Sequence, residues 1–180
     1  MMNPPPAHVF WLFGLSGAGK STLATRLAAD LRTRGVAVLS LDGDVMRGGL
    51  CQGLGFSDSD RAENLRRSAE VARIGLASNL CVIAAFITPL AAHRELVAAT
   101  IGRDQVSLVW IDAPLATCQA RDVKGLYAGA RAGRVTQMTG LGSGFEAPGE
   151  TALTLETANQ TAATSAAKLR AFAHARLGLA

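Results

Sequence analysis

The stretch "GLSGAGKST", Gly14 to Thr22, places glycines at 14, 17 and 19 directly before Lys20 and Ser21. The spacing GxxxxGK[ST] suits one task, holding a phosphate chain. Glycines let the backbone turn tightly, so several N–H groups can point inward at phosphate oxygens. Lys20 can then reach the β- and γ-phosphates, and the Ser21 hydroxyl can ligate Mg²⁺. A Gly-rich turn with an incidental lysine is the alternative. It would not need the flanks that are present here, the apolar run "HVFWLF" at 8–13 and an Ala/Leu-rich helical pattern at Ser21–Arg34. The start of that helix adds its positive dipole end to the same spot. A dinucleotide fingerprint does not fit, because the glycines follow GxxGxG and not GxGxxG.

Phosphoryl transfer also needs groups on the acceptor side. The run "VAVLSL" at 36–41 ends in Asp42, Gly43 and Asp44. Ligands of open α/β sheets bind beyond the carboxyl ends of the strands, which puts both carboxylates beside the phosphate loop. One can support a metal-bound water and the other can accept a proton from an attacking hydroxyl. Asp-Gly after a strand equally makes a turn and caps a helix, and from these residues alone the two readings stand level. "VSLVWID", ending at Asp112, resembles a metal-binding strand end and competes for the metal role. Pro114 just after it favours a helix-capping Asp112 instead.

In "LGFSDSDRAENLRRSAEVA", 54–72, Ser57 or Asp58 opens a helix. Arg61, Asn64 and Leu65 are spaced to share one face. Solvated arginines on a surface helix are the plain reading. With Phe56 at the helix start, the same face could hold an anionic heterocycle, Phe supplying stacking and Arg charge and forked donors.

The elements that would position these groups alternate along the chain. Strand-like runs at 8–13, 36–41, 80–86, 106–111 and, weakly, 152–157 are separated by helical patterns at 58–78, 89–100 and 114–120, with a last helix near 160–177. Near-continuous apolar strands fit a parallel sheet covered on both faces, hence a three-layer α/β domain of five parallel strands with right-handed crossovers. A single domain over residues 1–180 is expected, since half of the 180 residues are hydrophobic and the length suffices for a core. The Gly- and Arg-containing segment 122–150 has no strand pattern, and a loop of that length usually serves function, often as a lid.

Composition narrows the class. Net charge is +4, with a sequence pI near 9.4 and mean hydropathy +0.23. The basic residues form no run and the chain has only two Trp, one Tyr and six Phe, so anionic small molecules are expected and nucleic acid is not. Cys51, Cys81 and Cys118 are dispersed and odd in number, which fits a reduced cytoplasmic protein. The start "MMNPPPAH" has no export pattern, and no apolar stretch is long enough to span a membrane.

The order of motifs then becomes specific. "GLSGAGKST", "LDGD-x-x-R", "LGFS-x-x-DR-x-EN-x-RR", "AFI-T-P", "RD-x-KGLY-x-x-ARAG" and "TG…S-x-FEAP" resemble adenylylsulfate (APS) kinases, P-loop kinases, over roughly residues 8–160. The resemblance implies transfer of the γ-phosphate of ATP, with Mg²⁺, to the 3′-hydroxyl of adenosine 5′-phosphosulfate. It implies that Gly14, Leu15, Ser16, Gly17, Ala18, Gly19, Lys20, Ser21 and Thr22 hold ATP and its metal, joined by Arg131. Lys20, Asp42 and Asp44 would serve the chemistry, Asp44 nearest the 3′-hydroxyl. Arg47, Phe56, Arg61, Asn64, Ile87, Thr88, Lys124 and Met138 would hold the adenylylsulfate. A mobile lid around 122–148, carrying Lys124 and Arg131, would close over both nucleotides and exclude water. Lys20, Arg61, Arg66 and the lid would offset developing charge. A homodimer is the partner state that the resemblance suggests.

The chain also departs from the family pattern. Val45 and Gly48 stand where polar residues are common, and Leu90, Ala91 and Ala92 lack an arginine many members carry. Gln137-Met138 replaces Gly-Phe, so the second aromatic face over the substrate adenine becomes a flexible thioether. That exchange costs about 1 kcal/mol of binding. Phe145 stands where Tyr is common. These departures keep two other readings open: a kinase of the same fold for another nucleotide or small alcohol, and a nucleotide-binding protein without turnover. Intact Lys20, Ser21, Asp42 and Asp44 argue against the latter.

Overall fold

A computed structural model describes residues 7–123, 125–133, 139–140 and 144–179. Five strands, β1 (Val9–Phe13), β2 (Val38–Asp42), β3 (Cys81–Phe86), β4 (Val106–Asp112) and β5 (Leu153–Glu156), form one sheet in the order β2-β3-β1-β4-β5. Every pairing is parallel. The crossovers carry α1 (Lys20–Thr33), α2 (Gly43–Gly48), α3 (Asp58–Ala77), α4 (Ala91–Ile101), α5 (Leu115–Arg121) and α6 (Leu126–Arg131), and α7 (Ala162–Leu177) closes the chain.

The three layers follow from which strands are buried on both faces. All five residues of β1 and all six of β3 are buried, as central parallel strands require. Side chains alternate along β1. Phe10 and Leu12 join Leu23, Leu27 and Leu31 of α1 and Leu169 and Ala173 of α7 in one core. Val9, Trp11 and Phe13 join Leu65, Ala69 and Ala72 of α3 and Val97 of α4 in the other. The helical stripes are those of period 3.6. On α3 the buried set includes Arg61, Asn64, Leu65, Ser68, Ala69 and Ala72, so the cavity-lining polar residues continue the core stripe.

Each predicted strand and helix is present, with ends moved by a residue or two. Two short helices were not expected. Asp42 accepts a hydrogen bond from the Asp44 N–H at 2.9 Å and caps α2. Asp122 accepts from the N–H groups of Tyr127 and Ala128 at 3.0 and 2.9 Å, which organises the start of α6 inside the segment read as loop. No described helix is long and apolar enough to cross a membrane. Cys51, Cys81 and Cys118 are buried and unpaired.

Candidate active site

The phosphate loop joins the end of β1 to α1. Gly14 and Gly17 are required there on two counts. Their φ angles are +147° and +81°, and an added Cβ would stand 2.3 Å from the Ile111 carbonyl oxygen and 2.9 Å from that of Cys118. The loop therefore lies directly on the end of β4 and on the middle of α5, and any side chain would lift it. Gly19, φ +106°, caps α1. Lys20 Nζ donates to the carbonyl oxygens of Gly14 and Leu15, at 3.0 and 2.7 Å, so the ammonium is held over the mouth of the loop.

Ser21 Oγ donates to Asp42 Oδ2 at 2.7 Å, while Asp42 Oδ1 takes the Asp44 N–H. The capping reading of the Asp-Gly-Asp stretch is thus seen directly. The first carboxylate caps a helix and, through the same geometry, meets the phosphate loop. Ser21 and Asp42 offer hard oxygen donors in a half-open cleft, and the described residues hold no cluster of three or more His, Cys, Asp or Glu. A cation that takes one or two protein oxygens and completes its shell with phosphate and water fits this set, which is the habit of Mg²⁺.

The cleft continues into a cavity of about 310 Å³, lined on one side by Ser16, Gly17, Gly19, Lys20, Ser21, Thr22, Asp42 and Asp44. The lining also takes in Arg47, Phe56, Arg61, Asn64 and Leu65, the residues Phe86, Ile87 and Thr88 at the end of β3, where the Ile87 carbonyl oxygen accepts the Gly14 N–H at 3.2 Å, and Asp122, Val123, Leu126 and Tyr127. Phe56 is 55% exposed and carries the Arg47 guanidinium 4.4 Å from its ring centroid and that of Arg61 at 5.9 Å. Arg47 Nη1 donates to the Leu54 and Gly55 carbonyl oxygens, at 3.3 and 2.8 Å. Arg61 Nε donates to the Phe56 carbonyl oxygen at 2.9 Å and Nη1 to Thr139 Oγ1 at 2.8 Å. Burial, then the adjacent Arg47 charge, lowers the Arg61 pKa, with Asp58 opposing; the guanidinium stays charged. Asn64 is 4% exposed, and its Nδ2 has no hydrogen-bond partner. A buried donor left without an acceptor at a cavity wall is costly unless a ligand supplies one.

Leu15 is half-buried and packs beneath the loop, and Ala18 is buried in the core. The backbone of Arg131 ends α6; Lys124 and Met138 lie outside the described residues, as does the Arg131 side chain. One expectation is corrected. Arg66 does not line the cavity: it pairs with Glu63 through Nε at 2.8 Å and Nη2 at 2.9 Å on the exposed side of α3. Five positions beyond Arg61 on a 3.6-residue helix is roughly 140° around the axis. Asp112 also stays off the cavity wall; burial, then Glu156, raises its carboxyl pKa.

Three residues that brace the phosphate loop, Tyr127, Arg121 and Thr157, were missed in the sequence. Tyr127 is buried and its hydroxyl donates to the Ser16 carbonyl oxygen at 2.9 Å, so α6 is tied to the phosphate loop. Arg121 Nη2 donates to the Thr157 carbonyl oxygen at 2.6 Å and Nη1 to that of Gly17 at 3.4 Å. Thr157 Oγ1 donates to the Ala18 carbonyl oxygen at 2.8 Å. None carries a local pattern, since each partner is distant in sequence; the "KGLY" tyrosine was visible only as a motif letter.

A phosphate loop facing two carboxylates across a cavity, on a parallel sheet of order 2-3-1-4-5, defines a P-loop kinase. The chain belongs to the adenylylsulphate kinase family, whose profile matches residues 6–156. It is 51% identical over 140 residues to the adenylyl-sulfate kinase of Klebsiella pneumoniae subsp. pneumoniae, covering 78% of this chain and 70% of that one. With the adenylyl-sulfate kinase of Shewanella amazonensis it shares 47% identity over 161 residues, 89% of this chain and 81% of the relative. The APS kinase CysC of Mycobacterium tuberculosis, solved with AMPPNP and APS, superposes with a TM-score of 0.90 at 38% identity, over 95% of this chain and 99% of that one.

Proposed function

We propose that the protein transfers the γ-phosphoryl group of ATP to the 3′-hydroxyl of adenosine 5′-phosphosulfate, giving ADP and 3′-phosphoadenosine 5′-phosphosulfate (PAPS). The observation that carries this is the two-walled cavity: a phosphate loop and paired carboxylates face Arg47, Phe56, Arg61 and the unpartnered Asn64 amide. Such a wall suits an anionic purine nucleotide, with a ring to stack, guanidinium charge and an amide to read a polar edge.

The chain's own groups divide the work. Backbone N–H groups from Gly14 to Thr22 cradle the triphosphate at the start of α1. Lys20 leaves its two loop carbonyls for the β- and γ-phosphates. Mg²⁺ held by Ser21, with Asp42 beside it, would neutralise phosphate charge. Asp42 already uses both carboxylate oxygens, on Ser21 and on the Asp44 N–H. Asp44 lines the cavity and is assigned as the base that takes the proton of the 3′-hydroxyl, and Asp42 as the group that holds the loop, metal and α2 in register. Little covalent chemistry is asked of the protein beyond this; positioning and charge carry the step. Tyr127 and Arg121 tie the lid side to the phosphate loop, so that closure of 122–148 shuts out water that would otherwise take the phosphoryl group. A cytoplasmic setting and a homodimeric assembly belong to the same proposal, and light scattering on the purified chain tests the second.

Phosphorus NMR of a reaction with MgATP and adenosine 5′-phosphosulfate tests the proposal. It predicts a new 3′-phosphomonoester signal with the sulfate ester intact. Phosphorylation of AMP or a simple alcohol in its place would move the acceptor to another small molecule.

A further inference from the structure

Thr88, two residues beyond the end of β3, lines the cavity with φ +43°. A β-branched residue in the left-handed region is strained, and such strain persists only where the surroundings over-determine it. Here they do. Trp11, fully buried in the neighbouring β1, donates its indole Nε1–H to Thr88 Oγ1 at 2.9 Å, a contact across 77 residues of sequence. Arg94 Nη1 donates to the Thr88 and Pro89 carbonyl oxygens, at 3.3 and 3.1 Å, from a position 5.2 Å over the Phe13 ring. Glu146 adds its N–H to the Pro89 carbonyl oxygen at 2.9 Å. Trp11 also stacks on Phe86, centroids 4.7 Å apart at 16°, and Phe86 lines the same wall.

The chemistry of the Trp11–Thr88 bond has a direction. An indole N–H only donates, so the Thr88 oxygen must accept in that bond. The one hydrogen of the hydroxyl is then left to donate elsewhere, and Thr88 lines the cavity just beyond β3, the strand that lies between β1 with its phosphate loop and β2 with Asp42 at its end. We infer that Trp11 is a positioning residue for the acceptor: by donating to Thr88 Oγ1 it fixes the Thr88 hydroxyl as a hydrogen-bond donor to an oxygen of the acceptor nucleotide. This rests on the activity proposed above. It gives a fully buried core residue a part in substrate affinity without contact with substrate.

The test is a two-residue cycle on the full chain, with KM measured separately for adenosine 5′-phosphosulfate and for ATP, and thermal melts for each variant. Thr88→Val raises the KM for adenosine 5′-phosphosulfate about tenfold and Thr88→Ser changes it less than about twofold, because only the hydroxyl matters. Trp11→Phe keeps an aromatic ring against Phe86, removes the donor, and raises the same KM about fivefold with the KM for ATP within about twofold. The double variant Trp11→Phe, Thr88→Val is no worse than Thr88→Val alone. Additive effects, or a Trp11→Phe change that raises both KM values together, overturn the inference. If Trp11→Phe melts before assay, the Thr88 pair decides: a Thr88→Val enzyme with unchanged KM for adenosine 5′-phosphosulfate overturns it. Wild-type enzyme without turnover of adenosine 5′-phosphosulfate removes the proposed activity and this inference together, which separates that failure from additivity in an active enzyme.

Discussion

Ser21 Oγ and Asp42 Oδ2 are 2.7 Å apart, which joins the first turn of α1 to the end of β2 and closes the gap between the phosphate loop and the acceptor wall. Since the other Asp42 oxygen caps α2 through Asp44, one carboxylate sets the place of the next. The two aspartates should then fail differently. Asp44→Asn is expected to lower kcat by about 10²- to 10⁴-fold with KM for ATP little changed, the loss of a general base. Asp42→Asn is expected to raise the KM for MgATP and steepen its dependence on free Mg²⁺. Steady-state kinetics across a Mg²⁺ series separates them, and identical profiles would contradict the division of roles.

Two glycines of the phosphate loop make a second contrast. At Gly14 a methyl group meets the Ile111 carbonyl oxygen at 2.3 Å, whereas at Gly19 nothing lies within 4 Å and only the φ of +106° is unfavourable. Gly19→Ala should fold, at a cost of about 1–3 kcal/mol from backbone strain. Gly14→Ala should lose more than that, or yield no folded protein, because backbone must move. Chemical denaturation compares them.

Tyr127→Phe removes only the hydroxyl that meets the Ser16 carbonyl oxygen. The expected result is a several-fold higher KM for ATP with a stability loss of about 1 kcal/mol. An unchanged KM would detach α6 from the nucleotide site.

Arg66→Ala is predicted to leave kcat/KM within about twofold, since the residue faces solvent on a helical ion pair and such pairs contribute little. Arg61→Ala, by contrast, loses the cavity's buried guanidinium and should raise the KM for adenosine 5′-phosphosulfate more than tenfold, in line with roughly 1.5–3 kcal/mol for hydrogen bonds to charged groups. Equal effects from the two would return Arg66 to the site.

The sheet's opposite end holds a pH-dependent element. His8 is buried, with Nε2 2.8 Å from Ser107 Oγ, and burial, then the Arg176 charge, pushes its pKa from 6.5 down to about 4. Between those pH values the unfolded chain binds a proton that the folded chain does not. Stability from this group is therefore complete above about pH 6.5 and falls as pH drops towards 4. Thermal melts of His8→Phe should show a flatter pH dependence across that window than the wild type, whatever the change in Tm itself.

Much of this was legible in the chain because the signals were local. The loop glycines, Lys20 and Ser21 sit within one turn, and Arg61, Asn64 and Leu65 share a helical face by spacing alone. Apolar runs at the five strand positions required a doubly covered sheet, and the sheet obliged. Arg66 was misplaced because its charge was credited to the site without regard to its angle around the helix, which the spacing sets roughly 140° from Arg61. Trp11 on Thr88, Tyr127 on Ser16 and Arg121 on Thr157 join residues far apart in sequence, where no period or motif links them. The short helices α2 and α6 depend on aspartates acting through their side chains, an effect that apolar periodicity does not register.

The most direct measurement is coupled ADP release from MgATP, with and without adenosine 5′-phosphosulfate, by the wild type and Asp44→Ala. Rapid release that requires adenosine 5′-phosphosulfate, and that is lost in Asp44→Ala while ATP still binds, is the expected result. Release that is indifferent to adenosine 5′-phosphosulfate, or that survives the loss of Asp44, would contradict it.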